Sequence, residues 1–167
     1  MNENDLASWQ GFAAAQMGAA AALLGLFFVA MSIHLRQVMA SPELRGRARG
    51  CIAALFLQLL VGLAVLVPGQ PDSFLGAELL AAGSFNAWIS VRRVVQRYGA
   101  FRPVLRYCFS PNGLAILGFL LVAIAGVAVI SGGYGGLRWL PLACAVLFFY
   151  VILGSWALLA GAAEVQA

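Results

Sequence analysis

Residues 11–33 read GFAAAQMGAAAALLGLFFVAMSI, twenty-three in a row without a charge, and residues 36–49 just beyond read RQVMASPELRGRAR. A helix crosses the bilayer hydrocarbon with about 20 predominantly apolar residues, so the first run is long enough to span. The second run holds Arg36, Arg45, Arg47 and Arg49, and a later segment, 92–106, holds Arg92, Arg93, Arg97, Arg102 and Arg106. Nine of the ten arginines therefore fall in two short stretches, and the chain between and beyond them is nearly uncharged.

Composition demands lipid as the solvent for most of this surface. The 167 residues are 63% hydrophobic and 10% charged, with a mean hydropathy of +0.93, and a soluble domain of that length cannot hide so much apolar surface. Five segments approach spanning length: 11–33, 51–67, 74–91, 114–130 and 140–160. The expected fold class is an all-α integral membrane protein with five transmembrane helices in one domain, residues 1–167, without a soluble domain. The second and fourth segments are short, which leaves a four-span alternative with one segment in the interface.

Basic loops are retained on the cytoplasmic side, which puts the N-terminus outside and the C-terminus inside. Only Arg138 then falls outside. Trp and Tyr favour the headgroup level, and the same parse puts Trp9, Tyr134 and Trp139 outside, with Trp88, Tyr98, Tyr107 and Trp156 inside. The first run is read as retained, because Asn2, Glu3, Asn4 and Asp5 give it no basic flank and its apolar stretch exceeds that of a signal peptide.

Local signals mark the helix ends. Asp72 or Ser73 can cap the third helix, and Ser110 with Pro111 places a cap and a first-turn proline before the fourth. Gly99 is a plausible stop for the third helix, which would then project inward carrying Arg92, Arg93 and Arg97, and Pro103 blocks simple continuation. The glycine run Ser131 to Gly136 reads as an outer turn; it follows no strand, so a phosphate loop is not expected.

Within the first helix Gly11, Ala15, Gly18, Ala22, Gly25, Val29 and Ser32 repeat at steps of four and three. In lipid, helices associate by close packing and polar contacts, and small residues let backbones approach. The stripe is either a homo-oligomer interface or ordinary packing inside one chain. Glu78 is the acidic residue within a span, and such residues default to functional candidates. It stands only ~7–8 Å along its helix, near a positive helix end that favours a carboxylate, so a placement role competes with a proton or cation role. Asn86 lies about 80° around from Glu78. With Gln16, Gln58 and Tyr150 they form either a pathway through the bundle or separate interhelical hydrogen bonds, at about a kcal/mol or less each.

The arginine clusters orient the protein and attract anionic headgroups on the cytoplasmic side; an acidic protein partner is the other option, and short juxtamembrane segments do not suggest nucleic acid. His34 is the sole histidine, so HExxH, multi-histidine metal and bis-histidine haem sites are excluded. Cys51, Cys108 and Cys144 form no CxxC, and a chain without lysine offers neither a Schiff base nor a Walker A site. No metal, no cofactor and no enzyme activity are expected.

The stretches AAAALLGLFFVAMSIHL at 19–35, VPGQ at 67–70 and LGAELL at 75–80 resemble a set of small uncharacterised bacterial membrane proteins with an Ala-rich first helix running into a GLxFVAxS segment. The resemblance implies a five-helix fold in the bacterial inner membrane, raises Ser32, His34 and Glu78 as candidates, and carries no activity across. Two functions follow from the residues: a homo-oligomeric channel or small transporter lined by the polar residues, or a non-catalytic accessory or scaffold subunit docking through its Arg-rich loops. The orientation is checked by C-terminal reporters: a green fluorescent fusion is expected to fluoresce and an alkaline phosphatase fusion to stay inactive, and the reverse result inverts the topology.

Overall fold

The computed structural model describes residues 3–98, 111–132 and 136–164. Six helices occupy them: α1 (Glu3–Ile33), α2 (Leu35–Ala40), α3 (Pro42–Leu66), α4 (Asp72–Tyr98), α5 (Pro111–Ile130) and α6 (Trp139–Glu164). All but α2 are long and apolar enough to cross a membrane, and no strand occurs among the described residues. Large side chains such as Leu26, Phe28, Ile33, Phe85, Phe149, Ile152 and Trp156 are more than half exposed around the bundle. A belt of that kind is untenable in water and neutral in lipid, where helices also satisfy their own backbone groups. The protein is a multi-pass membrane protein.

The basic stretch 36–49 is helical, which corrects its reading as a loop and moves the second span's start from Cys51 to Pro42. His34 (φ −105°, ψ 18°) bends the chain between α1 and α2, and Ser41 (φ −100°, ψ 123°) turns it outright. The turn comes from Pro42, whose ring drives the preceding residue into extended backbone. Proline then serves as the first helical residue, and Ser41 Oγ accepts from the Leu44 backbone N–H at 3.5 Å, so the residues after it restart a helix that runs unbroken into the span. The same Ser–Pro signature expected at 110–111 is followed by α5 starting at Pro111.

At the other end of the bundle, Pro68 and Gly69 make the turn between α3 and α4. Gly69 (φ 69°) and Gly132 (φ 75°), which closes α5, hold the left-handed backbone that glycine adopts without strain. Asp72 lies inside the first turn of α4, where Pro71 O accepts from Phe74 N and Leu75 N. The third span, α4, does project past its apolar segment to Tyr98. Gly99, Arg102, Pro103, Arg106, Tyr107, Cys108, Ser110 and Tyr134 lie outside the described residues, as do the side chains of Arg97 and Tyr98.

The four-span alternative has no counterpart, since the one helix too short to span is α2. Neighbouring helices run antiparallel. α3 packs against α1, α6 and α4, and α5 fills the space between α4 and α6, so α1 is the outlying helix, seated on α3. One end collects Arg36, Arg45, Arg47, Arg49, Arg92 and Arg93 and is called the basic end below.

Helix contact depends on glycine. A Cβ on Gly83 would fall 2.6 Å from Ala123 N and 2.8 Å from Phe119 O, and one on Gly76 2.8 Å from Gly126 O, so α4 and α5 touch backbone to backbone. Gly83→Leu is expected to cost about 1–3 kcal/mol or more by overpacking, measured by reversible unfolding in mixed detergent. Gly18→Leu, at a glycine with open space around it, is expected to leave the unfolding of the single chain within about 0.5 kcal/mol.

Candidate functional site

Polar side chains inside a spanning bundle need partners, because lipid supplies none. Gln16 of α1 and Gln58 of α3 are both buried, at 6% and 1% exposure. Gln16 Nε2 donates to the Gln58 carbonyl O at 3.2 Å and to Gln58 Oε1 at 3.4 Å. This is the one pair among the five pathway candidates that the fold brings together. Gln58 Nε2 is left buried with no hydrogen-bond partner.

Asn86 turns back on its own helix, donating from Nδ2 to Ala82 O at 2.9 Å, while Ser90 Oγ donates to Asn86 O at 2.8 Å. Ser84 does likewise toward Leu80 O. Such bonds satisfy a side chain locally and leave little for a neighbouring helix. Tyr150 is buried on α6, hydrogen-bonded to Cys51 of α3, with Arg47 and Arg93 in electrostatic range. Gly50 makes room for it: a Cβ there would run into the Tyr150 hydroxyl.

Glu78 is exposed on α4, away from the basic end. Its Oε2 accepts from Gln70 Nε2 at 2.8 Å, and it lines a groove of about 410 Å³ between α3 and α4 whose other walls are Leu60, Val61, Leu63 and Leu79 among apolar neighbours. Gln70, in the turn before α4, was not singled out in the sequence. Its eight-residue offset from Glu78 is no helical spacing, so periodicity carried no sign of the pair. The Cys51–Tyr150 contact, between helices far apart in the chain, was equally invisible there.

At the basic end Arg36, Arg49, Arg92 and Arg93 are exposed, and Arg45 and Arg47 are partly buried. Arg92 lies over the Trp88 ring at 5.2 Å from its centroid, a cation–π contact. Arg45 Nε is buried without a hydrogen-bond partner. His34 Nδ1 meets the Gln37 side-chain amide at 2.9 Å. Cys51 and Cys144 are free thiols inside the bundle. Among the described residues no three of His, Cys, Asp and Glu come together as a metal site would require.

The stripe of α1 faces outward. Gly11, Ala15, Gly18, Ala22, Gly25, Val29 and Ser32 are all exposed, and a Cβ on any of its three glycines would meet nothing within 4 Å. Ala13, Gln16, Ala20 and Phe27 form the buried face that meets α3 instead. Among the described residues, packing within a single chain leaves the stripe uncovered.

No family model, curated protein or solved structure matches this chain.

The glutamine pair is open to a double-mutant cycle. Gln16→Leu is expected to cost more than Gln58→Leu, because the second change also removes a buried N–H group without a partner. The coupling between the two is expected at about 0.6 kcal/mol and not above ~1.7, read from unfolding in mixed detergent.

Proposed function

We propose that this protein is a non-catalytic membrane subunit that self-associates through the outward stripe of α1 and presents its Arg-rich end, on the cytoplasmic side of a bacterial inner membrane, to acidic partners or anionic lipid. The observation that carries the reading is the emptiness around Gly11, Gly18 and Gly25, when the described glycines of the other spanning helices meet a neighbouring helix, apart from Gly46 in the charged first turns of α3. Small residues at heptad spacing with nothing against them fit a second backbone at close range. Among the described residues, Arg36, Arg45, Arg47, Arg49, Arg92 and Arg93 supply the other contact surface, each worth ~1 kcal/mol toward anionic headgroups.

The pairing of Gln16 with Gln58 and of Tyr150 with Cys51 across helices, with Asn86 satisfied on its own helix, supports separate hydrogen bonds over a shared path. A second reading, a small transporter for a cation or proton, is favoured by one observation: Glu78 puts a carboxylate on the wall of the groove between α3 and α4. In that reading Glu78 binds the ion, and the groove is completed between copies.

The two separate by experiment. In a Cys108→Ser background, Gly18→Cys is expected to form a disulfide-linked dimer in native membranes, and Gly11→Leu, Gly18→Leu and Gly25→Leu together are expected to shift the purified protein to monomer in analytical ultracentrifugation. A monomer before substitution sinks the assembly. Proteoliposomes holding the wild type are expected to show no ion or proton flux above empty ones, whereas flux abolished by Glu78→Gln at unchanged oligomeric size moves the function to the transporter.

A further inference from the structure

α4 turns its glycines toward α5, where Gly76 and Gly83 lie against backbone, and it meets α3 only thinly. Away from the basic end this leaves the groove of about 410 Å³ between α3 and α4. Leu60, Val61 and Leu63 form its α3 wall, and α4 contributes Leu79, Ala82 and Glu78. Glu78 is the one charged group in that lining. Counted from Asp72, the first residue of α4, it stands ~9 Å along the helix, and Ala82 carries the groove ~6 Å deeper.

A carboxylate inside a span is costly unless a charge of opposite sign faces it. The groove supplies none, since its lining holds no basic residue. The hydrogen bond that Glu78 accepts comes from the neutral Gln70 amide, which offers a donor without a charge. On that same amide Gln70 Oε1 is buried and accepts from nothing. The carboxylate therefore lacks a cation, and a second acceptor stands unused beside it.

What lines the groove selects the cation. A calcium or magnesium ion takes about six or more oxygen ligands, and among the described residues no three of His, Cys, Asp and Glu gather here or elsewhere. Apolar walls add nothing to the binding of such an ion, and a proton on Glu78 makes no use of them either. The chain has no lysine, and Arg138, the described arginine at this end, precedes the span of α6 and is not in the lining. A lipid phosphate would meet the carboxylate with a like charge. An organic ammonium with an apolar body matches both the charge and the walls, the make-up of a small-molecule site with one placed polar group.

We infer that the groove between α3 and α4 is a binding site for an amphiphilic ammonium compound, its N–H groups on the Glu78 carboxylate and its apolar chain lying inward along Leu60, Val61 and Ala82. The site shares Glu78 with the transporter reading without resting on it, because binding needs neither flux nor self-association.

The test uses the full chain in dodecylmaltoside micelles and equilibrium dialysis of n-octylammonium, with n-octanol and octanoate as neutral and anionic probes of equal length, each corrected for uptake by empty micelles. n-Octylammonium is expected to bind saturably, one molecule per chain, with an affinity about tenfold or more above n-octanol, as a charge-assisted hydrogen bond confers. Octanoate is expected not to bind. Glu78→Gln should bring n-octylammonium level with n-octanol, and Glu78→Asp should keep the preference. Ala81→Trp, at an exposed position of the lining, should remove saturable binding with circular dichroism unchanged. n-Octylammonium binding that survives Glu78→Gln overturns the site, as does equal binding of all three probes, which marks an apolar wall only, or the lack of saturable uptake by the wild type. If Ala81→Trp disturbs the fold, the contrast between Glu78→Gln and Glu78→Asp decides the question. Flux and oligomeric size are not read in this experiment, so its failure leaves both readings of the function standing.

Discussion

The bundle depends on the contact between α4 and α5, where Gly76 and Gly83 lie against Gly126, Ala123 and Phe119 with no side chain between the backbones. In lipid there is no gain from burying one apolar surface against another, so cohesion comes from the number of atoms that reach van der Waals distance. The interfaces of α6 with α5 and α3, and of α1 with α3, follow the same rule with less backbone contact. Gly118 of α5 receives Leu147 of α6; Gly50, Gly154 and Gly161 let α3 and α6 close around Tyr150, Cys51 and Leu44; Gly62 of α3 receives Met17 of α1. Remove the first contact and α4 has only its thin contact with α3 to hold it.

That rule also explains where α1 stands. It joins the bundle through one helix and one narrow face, and the Gln16–Gln58 hydrogen bonds sit in the middle of that face. Two amides there can meet only in one register, so the pair fixes the height of α1 more than it adds stability, which is about a kcal/mol or less. With its inner face committed to α3, the opposite stripe is free to pack on something outside the chain, and its flank toward α6 is left as a groove.

The two ends of the molecule differ in kind. At the basic end, helix continues through the charged sequence, so the arginines are held on rigid turns of α2, α3 and α4 at defined positions. At the other end, short turns such as 67–71 connect the spans, and Glu78 and Gln70 pair at the mouth of a groove. Arg36, Arg45, Arg47, Arg49, Arg92 and Arg93 at one end, and Asp72 and Glu78 toward the other, give the bundle a charge polarity along its long axis.

The sequence by itself determined the class of structure, the five spans and the clustering of charge, because these follow from the length of apolar runs and from the cost of charge in hydrocarbon, both local properties. It also marked the extension of α4 through Arg92 and Arg93. It misread 36–49 as a loop although Ser41–Pro42 carries a helix restart, since charge density masked the signal. Only the tertiary structure decided that the heptad stripe of α1 faces outward while Gly76, Gly83 and Gly126 do the inner packing, that Gln16 meets Gln58, and that Glu78, Asn86 and Tyr150 go separate ways. Helical periodicity gives the angle between residues on one helix; which angle faces a neighbour is set by contacts between residues far apart in the chain, and these exist only once the bundle is assembled.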